Sequence, residues 1–171
     1  LDGDGSLDFV NYMQEMVASA NINRPSINFK KFYIDAWVQE ASSGGDRYPQ
    51  AKEEFLRAIN YGALIVNYLG HGSIRAMASE RMFEASDAQN LTNQYRYPLF
   101  ITATCELTKF DNPYEDTTGE EIYWNPKGGA IAMVTTTRAL YISDASSFNN
   151  RYTEKLYAYG LPYADYPTMA E

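Results

Sequence analysis

The 171-residue sequence holds one histidine and one cysteine, and each closes an apolar run. His71 follows Ala63-Leu-Ile-Val-Asn-Tyr-Leu69 inside Gly70-His71-Gly72-Ser73, and Cys105 follows Leu99-Phe-Ile-Thr-Ala-Thr104. Both runs read as buried strands, which puts both residues at or just past a strand's carboxyl end. In open parallel sheets that edge binds ligands and carries chemistry. A thiol beside an imidazole is the minimal nucleophile–base pair, and with no second His or Cys the assignment is forced if this is a thiol enzyme. The implied chemistry is acyl transfer. His71 takes the thiol proton and the Cys105 sulfur attacks a carbonyl carbon. Backbone N–H groups of Gly72 and Cys105 receive the oxyanion, typically about 3 kcal/mol per donor. Protonated His71 then releases the amine, and water or another nucleophile clears the thioester. Gly70 and Gly72 are expected to permit a tight turn and close substrate approach. Taken singly, a strand-end cysteine is an ordinary small buried residue. The shared edge is what makes the two a pair.

Composition narrows the field. Apolar residues make up 45% and charged residues 21%, ordinary values for a globular domain, and the length suits a single core. No run approaches 18 apolar residues, so no membrane-spanning helix is expected. A formal net charge of −8 argues against nucleic acid as a partner, because phosphate contacts need clustered Lys and Arg. One cysteine permits no internal disulfide and leaves the redox compartment open. The chain begins with Leu and no signal peptide precedes it, which suggests a piece of a longer protein. Fifteen tyrosines fit core and interface packing, and also suit extracellular recognition of peptides or glycans.

The remaining elements follow from periodicity and punctuation. Phe9, Tyr12, Met13, Met16 and Val17 predict an amphipathic helix over Asp8–Ala20, broken by the stretch from Asn21 to Ser26. Phe32–Trp37 reads as a strand, and Ser42–Asp46 as a flexible loop. Pro49 opens a helix whose buried stripe is Ala51, Phe55, Ala58 and Ile59, with Gly62 as the stop. A short helix over Ser86–Thr92 would be capped by Ser86 or Asp87. Glu106–Thr118 is a polar loop whose first residues, to Phe110, expose their backbone beside the thiol. Gly119–Trp124 is a helix ended by Pro126. Gly129–Thr135 is a third apolar strand, and Ser143–Tyr159 a last helix ended by Gly160 and Pro162. Strands alternating with helices imply an α/β fold, three-layered α/β/α, with a mostly parallel doubly wound sheet.

These motifs carry a resemblance. Gly70-His71-Gly72-Ser73 followed by a strand and Cys105 resembles the clan of caspases and gingipains, and Ile65–Ser73 is similar to the gingipain-type C25 peptidases. Within that family Pro98–Glu106, Phe110-Asp-Asn-Pro113, Asn125–Ala132 and Thr135-Thr-Thr-Arg138 resemble the PorU-like surface sortases of type IX secretion in Bacteroidetes. The likeness runs from about Arg47 to Tyr141, and more weakly to both ends. It implies a caspase/gingipain-like fold in which residues 1–171 are the catalytic half of a peptidase domain. It also implies a Cys–His endopeptidase or transpeptidase at the cell surface, outer membrane-associated or extracellular. The substrate would be the C-terminal secretion domain of exported proteins, with a surface glycolipid as acyl acceptor and other secretion-system components as partners. The family places an acid upstream to orient the histidine. Asp2 or Asp4 is the nearest match. Thr136, Thr137 and Arg138 would line the site for the residue before the scissile bond, Arg138 otherwise pairing with Glu106 or Asp111.

A rival reading attaches to Leu1-Asp-Gly-Asp-Gly-Ser-Leu-Asp-Phe9, which mimics a calcium loop with Asp2 and Asp4 as ligands and Gly5 at the turn. Asn11 stands where a bidentate Glu belongs. No cofactor is required by the peptidase reading, and calcium is the one ion the sequence leaves open. Two alternatives therefore stand beside the peptidase: a calcium-stabilised binding module, and a catalytically silent relative acting as a scaffold in secretion.

Overall fold

Residues 8–41 and 43–158 are described by the computed structural model. Three parallel strands form the sheet that matters for function: β1 (Ile65–Leu69), β4 (Leu99–Ala103) and β5 (Ala132–Val134), in the order β1-β4-β5. β4 is central and buried along its whole length, as an apolar run covered on both faces must be. Its register is Ile65↔Leu99 through Leu69↔Ala103 on one side, and Leu99↔Ala132 through Ile101↔Val134 on the other.

Helices cover both faces. On one face Val66, Tyr68 and Phe100 pack with Ile59 of α2 (Pro49–Tyr61), Ala88 of α3 (Ala85–Gln89) and Ile122 of α4 (Thr118–Trp124). On the other, Leu69 and Ala103 meet Phe9 of α1 (Asp8–Asn23) and Ala145 of α5 (Ile142–Leu156). The three-layer α/β/α arrangement expected from the alternation is present.

Local chemistry explains the helix ends. Pro49 opens α2 and Gly62 closes it at φ 122°, backbone that only glycine adopts readily. Thr117 and Glu120 form a reciprocal capping box on α4. The α3 cap differs from expectation. Glu84 is the cap, and Asp87 answers from the third helical position by accepting the Glu84 N–H at 2.8 Å. Ser86 caps nothing because the helix already begins at Ala85.

Several expectations are corrected. Phe32–Trp37 is not a strand; its core is a single 3-10 turn at Ile34–Ala36. Ile34 is the one fully buried residue of the segment, reaching Tyr48, Ala51, Ala78 and Met82; Trp37 packs against that cluster from its edge, and Phe32 rests on Phe55 with ring centroids 5.5 Å apart. β5 is shorter than Gly129–Thr135 because Gly129, at φ 98°, turns inward to a buried asparagine. Asn93 accepts the Gly129 N–H at 2.8 Å and donates to the Gly129 carbonyl at 2.9 Å. α1 runs three residues past Ala20, burying that alanine, and α5 covers Ile142–Leu156 rather than Ser143–Tyr159. Gly160 and Pro162 lie outside the described residues. An unexpected hairpin, β2 (Ala76–Met77) with β3 (Phe83–Glu84), fills the connection after His71.

Candidate active site

Parallel register decides where the two singular side chains lie. Leu69 of β1 pairs with Ala103 of β4, and His71 and Cys105 each stand two residues further on. Adjacent strands run about 4.8 Å apart, so the imidazole and the thiol leave neighbouring strand ends at the same level of one edge. That edge is the carboxyl edge of a parallel sheet.

The glycines around His71 are required by close packing within the chain. Neither has a positive φ. Gly70 leaves room for Tyr68, whose hydroxyl reaches past it to donate to the His71 carbonyl at 2.6 Å; a Cβ on Gly70 would lie 2.6 Å from that oxygen. Gly72 leaves room for Thr104, whose Oγ1 would lie 2.3 Å from an added Cβ. The His loop is thus laid directly across the end of the Cys strand. A second bond to the His71 carbonyl, from the Ala78 N–H at 2.9 Å, ties the loop to the hairpin. Phe9 supplies a wall, meeting the imidazole edge-on with centroids 5.3 Å apart at 83°. The imidazole itself belongs to an exposed residue. The Gly72 N–H takes no part in the two bonds that close this turn, Ser73 N–H to Ala76 O and Ala78 N–H to His71 O.

Cys105 is half-buried and its thiol rests on the backbone of Leu140. The Leu140 N–H donates to Sγ at 3.4 Å, and the Leu140 carbonyl stands 3.7 Å away. Residues after β5 brace the loop after β4. The Thr136 hydroxyl donates to the Thr104 carbonyl. Glu106 N–H donates to Arg138 O and Thr108 N–H to Thr136 O, each at 3.3 Å. The Glu106–Phe110 backbone is therefore partly engaged rather than open beside the thiol. Glu106 adopts φ 51°, an uncommon conformation that turns the chain sharply away from Cys105.

Arg138 grips Asp111 in a two-pronged ion pair, Nη1–Oδ1 at 2.9 Å and Nη2–Oδ2 at 2.5 Å, and also donates to Thr137 O at 2.8 Å. The Arg138 hydrogen bonds hold the Asp111 carboxyl below its ordinary range, and Asp111 raises the guanidinium. A carboxyl so lowered contributes above the ordinary carboxylate range and loses that contribution as pH falls through its own depressed pKa. Both partners are therefore charged at neutral pH. Thr136 and Thr137 are half-buried beside it.

Asp2 and Asp4, the expected orienters of the histidine and the ligands of the rival calcium loop, lie outside the described residues. Among the described residues no cluster of three or more His, Cys, Asp or Glu side chains is placed to hold a metal, and no helix is long and apolar enough to cross a membrane. Sequence reasoning missed Tyr68, Phe9, Thr104 and Leu140. Tyr68 and Thr104 sit within the two apolar runs, where a hydroxyl beside the glycine motif or beside the cysteine was the available signal. Leu140 acts through its backbone, which no side-chain pattern reveals.

The fold is shared with known proteins. No curated protein matches the chain significantly. The crystal structure of the Arg-specific cysteine proteinase gingipain R (RgpB) superposes with a TM-score of 0.70 at 18% identity, over 86% of this chain. A complex of the pro- and mature domains of RgpB from Porphyromonas gingivalis gives 0.58 at 20% identity, over 64% of this chain and 26% of that one. A third structure, of a protease, gives 0.50 at 27% identity, over 54% and 20%. The chain spans 32% of the gingipain R chain it matches. At these identities the likeness establishes the fold, a gingipain-like α/β architecture. Membership rests on the family model, which matches residues 2–171: the chain belongs to peptidase family C25.

Proposed function

We propose that this chain carries the Cys–His machinery of a cysteine peptidase, with Cys105 as nucleophile and His71 as general base and acid. The observation that supports it most is the in-register departure of the two residues from neighbouring strand ends. His71 accepts the thiol proton as Sγ bonds to the carbonyl carbon. The Gly72 N–H, left outside the hairpin's bonds, and the Cys105 N–H receive the oxyanion. The C–N bond then breaks, the imidazolium returns its proton to the leaving amine, and an acyl thioester remains on Cys105. Water clears it in hydrolysis, and a second amine clears it in transpeptidation. Asp2 or Asp4 would orient the imidazole through its other nitrogen. Thr136, Thr137 and Arg138 would flank the residue before the scissile bond, a role supported by the bonds that tie Thr136 and Arg138 to the residues around Cys105.

The finer reading is a surface sortase of the PorU kind, acting on the C-terminal secretion domain of exported proteins outside the outer membrane. The acyl group would go to water or to an amine of a surface glycolipid, with other secretion-system components as partners. Support comes from the resemblance carried by Pro98–Glu106, Phe110–Pro113, Asn125–Ala132 and Thr135–Arg138, of which the first runs into Cys105 and the last braces the loop after it. No cofactor enters this chemistry.

The test uses the protein that carries this chain and an exported protein retaining its secretion domain. Iodoacetamide-sensitive release of that domain is expected. With an amine supplied in excess, the new C-terminus should gain the amine's mass. Arg138→Ala should lower release about tenfold, the scale of one lost charge-assisted contact. Melting should stay unchanged, because the Arg138–Asp111 pair is exposed. Unaltered release would reduce Arg138 to a structural residue. Release that never incorporates the amine would leave a hydrolase and remove the sortase role.

A further inference from the structure

A pocket of about 410 Å³ opens beside His71 on the side of the β2–β3 hairpin, lined by His71, Gly72, Arg75, Ser79, Arg81 and Glu84 among others, and not by Cys105. Its position matters chemically. The base that removes the thiol proton must hand it to the leaving amine, so the departing chain continues on the imidazole's side.

We propose that this pocket receives the residues just past the scissile bond and prefers an acidic side chain there, with Arg81 as the specificity-determining residue. The inference rests on the thiol-peptidase reading. Its lining presents two guanidinium groups against one carboxylate in a chain whose formal net charge is −8. Glu84 is already answered by Lys52 at 3.0 Å, and Lys52 in turn holds Asp87 at 2.7 Å. Arg75 is held by Glu115 at 3.0 Å. Arg81 reaches Glu84 only at 3.6 Å, longer than a hydrogen bond, so its donors remain available to an incoming carboxylate. Its backbone is fixed for presentation. Arg81 sits at φ 54°, its N–H bonded to Ala78 O at 3.1 Å and its carbonyl accepting from Lys52 at 3.3 Å. A guanidinium so presented can take a carboxylate in the two-pronged geometry that lysine lacks.

Two substrate sets separate the possibilities. Internally quenched peptides varied at the first two positions past the scissile bond should be cleaved faster with Asp or Glu there than with Lys or Arg. The expected ratio is about tenfold at low salt, shrinking as salt is added. Arg81→Glu should reverse that order. Peptidyl arylamides, which carry no residue past the scissile bond, should be hydrolysed equally by the Arg81→Glu variant and the unaltered protein. An unchanged order in Arg81→Glu, or a parallel loss on peptides and arylamides, overturns the proposal while leaving the peptidase reading in place. Hydrolysis that survives Cys105→Ala overturns both.

Discussion

Cys105→Ala should abolish turnover in the protein that carries this chain, with kcat falling by about 10⁴ or more, as when a covalent nucleophile is removed elsewhere. The fold should hardly notice. The half-buried sulfur touches one backbone N–H at 3.4 Å and one carbonyl at 3.7 Å, and losing such weak contacts costs about 1 kcal/mol or less, a fall of roughly 2–4 °C in Tm for a chain of this size. Turnover measured beside a thermal melt separates the two effects. Substantial residual turnover in a folded variant would remove Cys105 from the chemistry.

Gly72→Ala carries the second large effect, through placement of the catalytic groups. The new methyl would lie 2.3 Å from Thr104 Oγ1 and 3.0 Å from its Cγ2. Thr104 is buried, and its backbone carbonyl is pinned by Thr136, so the His loop must lift away from the Cys strand. A misplacement near 1 Å costs about 100-fold in rate, and overpacking adds about 1–3 kcal/mol of destabilisation. The compensating pair Gly72→Ala with Thr104→Ala removes the two closest atoms, leaving only the Thr104 Cβ at 3.2 Å, and should recover much of the lost activity, a coupling that independent sites would not show. Full activity in Gly72→Ala alone would mean that the His loop has freedom the packing does not show.

What the sequence made legible was whatever rests on burial. β4 could be read because a strand covered on both faces is almost continuously apolar, β1 because its run is broken only by Asn67, and the candidate pair because each residue type occurs once. The helix from Pro49 to Gly62 announced itself through a proline and a glycine with local backbone reasons. Phe32–Trp37 failed because aromatic density imitates strand patterning while only Ile34 is fully buried. β5 was overestimated because the Gly129 turn is set by Asn93, which lies 36 residues away. The hairpin after His71 was invisible because its strands are two residues each, too short for any period. The glycines flanking His71 stood out in the sequence, but the side chains they make room for did not. Gly70 answers to Tyr68, two residues back along β1, and Gly72 answers to Thr104, which becomes its neighbour only after β1 and β4 pair.

Alkylation kinetics test the central claim most directly, because the thiolate is the species that reacts. Iodoacetamide should modify Cys105 rapidly near neutral pH in the unaltered protein. With a single cysteine in the chain, mass spectrometry assigns the event to Cys105. In His71→Ala the rate constant should fall by at least about tenfold, since the group that accepts the thiol proton is gone. Equal rates in the two proteins, both at the pace of an ordinary thiol, would contradict the account and leave His71 and Cys105 as neighbours without shared chemistry.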